Sequence, residues 1–466
     1  MKEAVIIEAV RTPMGRHSGI LKDIRTDDLG AYIIAKLVER TGINKEEIED
    51  VYLGCTNQAG EDSRNVARNA SLLAGLPYTI PGATVNRLCG SGLEAINQAG
   101  RAVETDHGDL FVAGGVESMT RGPWVMGKPA SSFQRGDVTM YDSSLGWRFP
   151  NKRMGELYSL INNGETAENV AEKYHISRED QDALALSSHQ KALKAQDQGL
   201  LRDEIIAVEI PQRKGAPLVH DKDEGPRADT SLEKLAALQP AFRKGGSVTA
   251  GNSSPLSDGA AALLIATPEK AKQLRLKPMA RIIASAAAGV HPNYMGIGPI
   301  PAAQKAMKRA GLTIDQIDLV EINEAFASQV LACARELGID LNKLNVNGGA
   351  IALGHPLGCS GARIMTTLVH EMKRRNSRYG LATMCIGVGQ GIATIVERIN
   401  GWPVKLPGNQ VGRGQPRKLL NTAAANESFG SSLAAHELVK KIHFARRRHG
   451  HPGRHCAGVL CQSSRR

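Results

Sequence analysis

Four short stretches of the chain carry side chains suited to carbonyl chemistry. The first is Val85-Asn86-Arg87-Leu88-Cys89-Gly90-Ser91-Gly92-Leu93, where a cysteine stands in a glycine turn just ahead of an amphipathic pattern. Leu93, Ile96, Ala99 and Val103 recur at spacings of three and four, which predicts a helix starting near Ser91. Cys89 then lies at a helix N-terminus. Free N–H groups and the positive end of the dipole favour a thiolate there, the form of cysteine that attacks carbonyl carbon. Gly90 and Gly92 predict open backbone beside the sulfur for a substrate and its oxyanion. A small cysteine that only packs is the competing reading of Cys89 taken alone.

The other three stretches lie in the second half. Asn323-Glu324-Ala325-Phe326 ends a strand that begins at Leu319, the place where open α/β sheets put ligand-facing residues. Gly354-His355-Pro356-Leu357-Gly358-Cys359-Ser360-Gly361 reads as a turn before a helix with Ile364, Met365, Leu368, Val369 and Met372 inward. A histidine held between Gly and Pro keeps one orientation, which suits a base. Cys385-Ile386-Gly387-Val388-Gly389-Gln390-Gly391 adds a second thiol. Its glycines are followed by a strand-like Ile392 to Val396 rather than a helix, so no dinucleotide fingerprint is present. Singly, His355 reads equally as a structural histidine and Cys385 as a core thiol. With Cys89 and Asn323 they form a cysteine, histidine, cysteine set with an amide.

The elements that must position these residues are α/β in pattern. Residues 27–41 read as a helix with Leu29, Ile33, Ile34 and Leu37 inward, Gly42 ends it, and a strand follows over 51–53. The segment from Gly42 to Val51 aligns without a gap on Gly311 to Val320, and Leu110 to Val116 resembles Leu381 to Val388. Two similar halves packed face to face, sharing one site, are therefore expected. Residues 120–246 differ in kind: a Gly/Pro/Ser-rich start, a charged helical stretch from Thr166 to Gln198, and a loop-rich end. They read as an inserted lid or ligand-gripping subdomain. The expected division is 1–119 with 247–270, the insert 120–246, a second half 271–400, and a tail 401–466.

A composition of 42% hydrophobic and only 4% aromatic residues, with 49 glycines, describes a soluble α/β protein with a core of small aliphatic side chains. The net charge of +11 suggests nucleic acid until it is located: twelve lysines and arginines against two acids lie in the last 66 residues. The body is nearly neutral. The tail lacks periodicity and is expected to be disordered; His449, His451, His455, Cys456 and Cys461 match no zinc-ligand spacing, so no metal is expected. Seven cysteines without disulfide spacing argue for free thiols in a reducing compartment, and the N-terminus opens on a strand rather than a leader, so the cytoplasm is the expected location. The uncharged run from Tyr379 to Val396 is broken by four glycines and reads as two strands, not a membrane span.

Over residues 1 to about 398 the sequence resembles the thiolases. The blocks Asn86 to Gly92, Asn323 to Ala327, Gly348 to Pro356 and Cys385 to Gly391 are similar to that family's four signatures nearly letter for letter. The resemblance implies the thiolase fold, a duplicated αβαβα five-layer sandwich with an inserted loop domain, and a homodimer or homotetramer. It implies that Cys89 takes the acyl group, that His355 accepts its proton, and that Cys385 moves the proton on the α-carbon. Asn323 and His355 would hold the thioester oxygen, and the N–H groups of Cys89 and Gly387 would form a second oxyanion hole. CoA, a substrate rather than a resident cofactor, would contact Arg227, Phe242, Ala250, Ser254, Met295, Ala325 and Phe326. Taken alone, Arg227 reads equally as a solvated charge, and Phe242 and Met295 as core. The family's frequent Met-Gly-x-Thr-Ala-Glu is replaced here by Asn163-Gly164-Glu165-Thr166-Ala167-Glu168, a departure that leaves the shape of the acyl pocket open.

The implied reaction is cleavage of a 3-oxoacyl-CoA by CoA in fatty-acid or aromatic-acid degradation. Residues 54–68 and the insert from Val125 to Phe149 look most like the thiolases that split 3-oxoadipyl-CoA, and Arg64, Arg68 or Arg148 would supply a cation for a dicarboxylic chain. A β-oxidation thiolase and a biosynthetic acetoacetyl-CoA thiolase are the alternatives. A decarboxylating ketoacyl synthase would need a second histidine where Asn323 stands. A non-catalytic basic binding protein finds no support in a fully occupied site, and no nucleic-acid or membrane partner is expected.

Overall fold

A computed structural model describes residues 2–399 apart from 211 and 213. The tail 401–466, with its basic run and its histidines and cysteines, lies outside the described residues. Edge to edge, the strands run Leu319–Ile322, Tyr379–Ile386, Gln390–Arg398, Ala280–Gly289, Val5–Arg11, Ser257–Ala266, Leu110–Ser118, Asp50–Gly54 and Gly82–Val85. The two halves meet where Val5 and Ile6 pair antiparallel with Arg281 and Ala280. On either side the order mirrors itself. Asp50–Gly54 lies parallel to both Gly82–Val85 and Leu110–Ser118, and Leu319–Ile322 lies parallel to Tyr379–Ile386. A single parallel bridge from Val320 to Leu344 stands where the second half would need its counterpart of Gly82–Val85.

The repeated segment folds twice in the same way. Gly42 and Gly311 cap their helices at φ 64° and 67°, a left-handed conformation that costs glycine little. One turn of 3₁₀ helix follows in each, Lys45–Glu47 and Ile314–Gln316, before the strand begins. The uncharged run near residue 390 forms two antiparallel strands, as expected. Among the described residues no helix is long and apolar enough to cross a membrane.

Five layers result. Helices Thr26–Thr41 and Val66–Leu73 cover the first half's strands from outside, and Pro299–Ala310 and Ala327–Leu337 cover the second half's. Between the two sets of strands lie helices Ser91–Glu104 and Leu357–Arg375, sharing one core that draws on both halves. Ser91–Glu104 is buried throughout its first two turns, and Leu357–Arg375 is buried on all sides from Gly358 to Val369. An all-round buried helix belongs in the interior of a large core.

These two helices touch backbone to backbone. A Cβ on Gly92 would come within 2.7 Å of the Gly358 carbonyl oxygen, and one on Gly361 within 2.2 Å of the Leu93 nitrogen. Within the insert, helices Asn163–Lys173 and Arg178–Asp197 pack on Ala327–Leu337. A buried ion triad fastens the insert to the first strand: Arg11 donates to Glu204 at 2.6 Å and to both oxygens of Asp223 at 2.6 and 2.9 Å. Removing one partner of such a group leaves a bare buried charge, a loss of about 3–5 kcal/mol.

The glycine contact makes a prediction. Gly361→Ala should destabilise the body by about 1–3 kcal/mol in denaturant unfolding, because the obstacle is backbone that cannot swing aside. Gly92→Ala should do the same, and the double variant should lose less than the sum, since either methyl already separates the helices.

Candidate active site

Cys89 occupies the turn between the strand Gly82–Val85 and its helix. Leu88, at φ 47°, bends the chain, and the turn is tied by Ser91: its Oγ donates to the Leu88 carbonyl at 2.5 Å and accepts from the Arg87 N–H at 2.9 Å. The helix begins at Ser91, as its pattern predicts. Cys89 is nearly buried, and the backbone N–H groups of Gly387 and of Cys89 itself face its sulfur. The pair of amides that the resemblance implied as an oxyanion hole is therefore assembled at the thiol.

Two expectations about this turn need correction. The space beside Gly90 and Gly92 is filled by protein: a Cβ on Gly90 would strike the Ile386 side chain at 2.6 Å, and Gly92 meets the facing helix. Both glycines serve close packing between the halves. Nor is the ligand-free sulfur held as a thiolate. Burial pushes the Cys89 thiol up to about 11, outweighing the two amides that pull it down.

His355 is supplied by the turn ahead of the other central helix. Gly354, at φ 110°, swings the chain into Pro356, and the His355 N–H donates to Ser257 Oγ at 3.3 Å. Its Nδ1 lies 2.6 Å from Ser360 Oγ, one turn along the same helix. Asn323 follows the strand Leu319–Ile322, is fully buried, and sets its Nδ2 3.3 Å from Nε2 and 3.4 Å from Nδ1 of His355. Its Oδ1 has no partner, an acceptor available to a substrate or water. Burial, aided by Arg363, lowers His355 to about 3, so the imidazole is neutral at pH 7.

Cys385 is the next-to-last residue of the strand Tyr379–Ile386 and is buried. Burial drives its thiol well above the usual range, and the proximity of Cys89 raises it further. Cys89, Cys385 and the Gly387 N–H thus form one buried group, and His355 with Asn323 forms another, linked to the first where the Asn323 N–H donates to the Thr383 carbonyl two residues before Cys385. Val388 and Gly389, at φ 65° and 82°, turn the chain back after Gly387.

Residues expected to contact CoA divide into two groups. Phe242, Met295, Ala325 and Phe326 form one apolar cluster with Cys385, and Phe242 meets Phe326 edge to face with ring centroids 6.0 Å apart. The Ser254 N–H donates to the Ala325 carbonyl, placing it on the same wall. Ala250 and Arg227 are exposed. Asn163, in the place of the family's methionine, sets its amide about where a Cβ on Gly387 would feel it, at 3.8 and 3.9 Å. Among the candidate cations, Arg68 is engaged by its own chain, donating to the Ile80 and Tyr78 carbonyls, and Arg148 donates to the Ser143 carbonyl at 2.7 Å. Arg64 is exposed.

Three supporting residues escaped the sequence reading. Glu117 is buried and accepts from Thr56 N, Thr56 Oγ1, Asn57 N and, across the halves, Gly358 N at 2.8 to 3.2 Å. Glu324 accepts from Ser188 Oγ, Asn345 Nδ2 and Ile351 N, fixing the Asn323 loop. Ser360 fixes the imidazole. Glu117 stands among uncharged residues and Ser360 within a glycine-rich turn, so no local pattern marks them.

A neutral thiol and a neutral imidazole have a measurable consequence. Below its pKa a thiol gains reactive thiolate about tenfold per pH unit. Alkylation of Cys89 by iodoacetamide, read by mass spectrometry, should keep rising from pH 7 to pH 10. A plateau reached by pH 7 would show a standing thiolate–imidazolium pair instead.

Comparison with known proteins places this arrangement. A family model described as the thiolase N-terminal domain matches residues 4–269, and one described as the thiolase C-terminal domain matches residues 276–398. A beta-ketoadipyl-CoA thiolase of Acinetobacter baylyi is 53% identical over 402 residues, covering 86% of this chain and all of that protein. A 3-oxoadipyl-CoA/3-oxo-5,6-dehydrosuberyl-CoA thiolase of Escherichia coli is equally similar, 53% over 402 residues, with the same coverage. Among solved structures, the Bacillus anthracis acetyl-CoA acetyltransferase superposes with a TM-score of 0.80 at 43% identity, covering 86% of this chain and 99% of that one. Human mitochondrial 3-ketoacyl-CoA thiolase gives 0.81 at 39%, covering 85% and 99%. With the fold, the two thiols and the histidine in place, the chain belongs to the thiolase family of acyltransferases.

Proposed function

We propose that this protein cleaves a 3-oxoacyl-CoA with CoA to give acetyl-CoA and a shortened acyl-CoA, and that its preferred substrate is 3-oxoadipyl-CoA or a close dicarboxylic relative, in aromatic-acid degradation. The observation that carries the reaction is the pair of buried thiols, Cys89 and Cys385, within range of each other's charge, in a protein that also buries one neutral histidine against the Asn323 amide. The Cys89 sulfur bonds to the 3-oxo carbon as its proton passes to His355. Because the free thiolate is disfavoured, attack and proton transfer occur together. The carbonyl oxygen turns negative against the Cys89 and Gly387 N–H groups. Collapse breaks the bond between C2 and C3, leaving an acyl thioester on Cys89 and an acetyl-CoA enolate. The enolate oxygen is held by protonated His355 and the Asn323 amide, and Cys385 gives its proton to C2. CoA thiol then takes the acyl group, restoring both cysteines.

The apolar cluster of Phe242, Met295, Ala325 and Phe326 suits the pantetheine arm, and exposed Arg227 suits the nucleotide end. Neither a metal nor a resident cofactor enters any step. The dicarboxylic preference rests on the named relatives. Exposed apolar side chains at Tyr78, Trp124, Phe133 and Leu157 favour a homo-oligomer, and the free thiols at Cys55, Cys89, Cys333, Cys359 and Cys385 favour the cytoplasm.

Cleavage of 3-oxoadipyl-CoA, acetoacetyl-CoA and a medium-chain 3-ketoacyl-CoA by the full chain should show kcat/KM higher for the dicarboxylic substrate by about tenfold or more. Preference for acetoacetyl-CoA would assign the protein to acetyl-CoA condensation, and preference for the medium chain to β-oxidation.

A further inference from the structure

His355 must present a bare nitrogen to receive the Cys89 proton, and a neutral imidazole carries its one N–H on either of two nitrogens. Two contacts bear on which. Ser360 Oγ lies 2.6 Å from Nδ1 and, as a donor, 2.9 Å from the Pro356 carbonyl oxygen. A carbonyl only accepts, so a Ser360 hydroxyl pointed at Pro356 turns its oxygen lone pair toward Nδ1. The Asn323 Nδ2, a donor, is nearly equidistant from the two nitrogens, 3.3 Å from Nε2 and 3.4 Å from Nδ1, and does not choose between them. Ser360 and Asn323 are both almost wholly buried, so bulk water does not compete for these positions.

We propose that Ser360 is a positioning residue that fixes His355 as the Nδ1–H tautomer, leaving Nε2 as the proton acceptor. The Nδ1–H donates to Ser360 Oγ, whose own proton goes to the Pro356 carbonyl. Nε2 then takes the Cys89 proton and, once protonated, becomes the N–H donor to the enolate oxygen. One nitrogen thus serves as acceptor and then as donor without the ring turning over. The partner is a hydroxyl rather than a carboxylate, so no fixed negative charge holds the imidazolium. The proton is free to leave Nε2 in the second half of the reaction.

The catalytic part of this inference rests on the proposed thiolase reaction; the tautomer does not. The direct test is the ¹⁵N-histidine spectrum of the full, ligand-free chain, in which one of the 13 histidines is assigned to position 355 by its loss in His355→Asn. The expected pair is a pyrrole-type Nδ1 and a pyridine-type Nε2. In Ser360→Ala the pair should move toward the other tautomer. The rate of acyl-enzyme formation should fall about tenfold or more while the KM for CoA stays within about twofold, and Ser360→Thr should recover part of the rate. A pyrrole-type Nε2 in the wild-type protein would overturn the proposal, as would a Ser360→Ala spectrum unchanged at His355. If Ser360→Ala does not fold, the wild-type spectrum decides alone. The expected tautomer in a chain inactive on every 3-oxoacyl-CoA would overturn the assigned reaction and leave the tautomer standing.

Discussion

The constraint on which this structure depends is the backbone contact between its two central helices. Gly92 and Gly361 let the helices approach until neither has room for a methyl group. Each helix starts at the site: one carries Cys89 just before its first turn, the other His355. Because the helices come from opposite halves, the distance between nucleophile and base is set by how closely the helices cross. Glu117 reinforces this by linking the end of a first-half strand to the Gly358 N–H of the second half. A shift of the helices would therefore be felt as lost alignment at the sulfur before it was felt as lost core.

The same burial that fixes the geometry sets the chemistry. Water is excluded from Cys89, His355 and Cys385, so each prefers its neutral form. A resting ion pair of the kind that makes some cysteines permanently reactive does not form. Charge appears only when a substrate carbonyl is present to receive it and the N–H groups of Cys89 and Gly387 are there to hold it. Two thiols in contact range of each other's charge also cannot both ionise cheaply, which keeps Cys385 protonated until the enolate needs its proton.

Much of this was legible in the chain. The repeat of Gly42 to Val51 at Gly311 to Val320 predicts paired halves because both copies need a left-handed glycine, a short turn and a parallel strand in succession. Cys89 and His355 were legible because each stands in a turn whose glycines or proline fix local geometry, and Asn323 and Cys385 because each lies at the end of a strand where ligand-facing residues gather. What was misread depends on distant parts of the chain. The room beside Gly90 is decided by Ile386, and the Arg68 guanidinium is claimed by the carbonyls of Tyr78 and Ile80. The expected thiolate failed for a related reason: a helix terminus is visible locally, whereas the desolvation that outweighs it comes from the whole core. Ser360 and Glu117 went unseen because their partners are known only once the helices are placed.

The division of labour between the two thiols is the central claim, and acetyl-CoA in D₂O tests it most directly. With Cys385→Ala the account predicts that acetyl is transferred to Cys89, seen as a mass shift on that residue, while exchange of the acetyl α-protons with solvent is lost. Exchange continuing at the wild-type rate in Cys385→Ala would contradict it, because some other group would then be moving the α-proton.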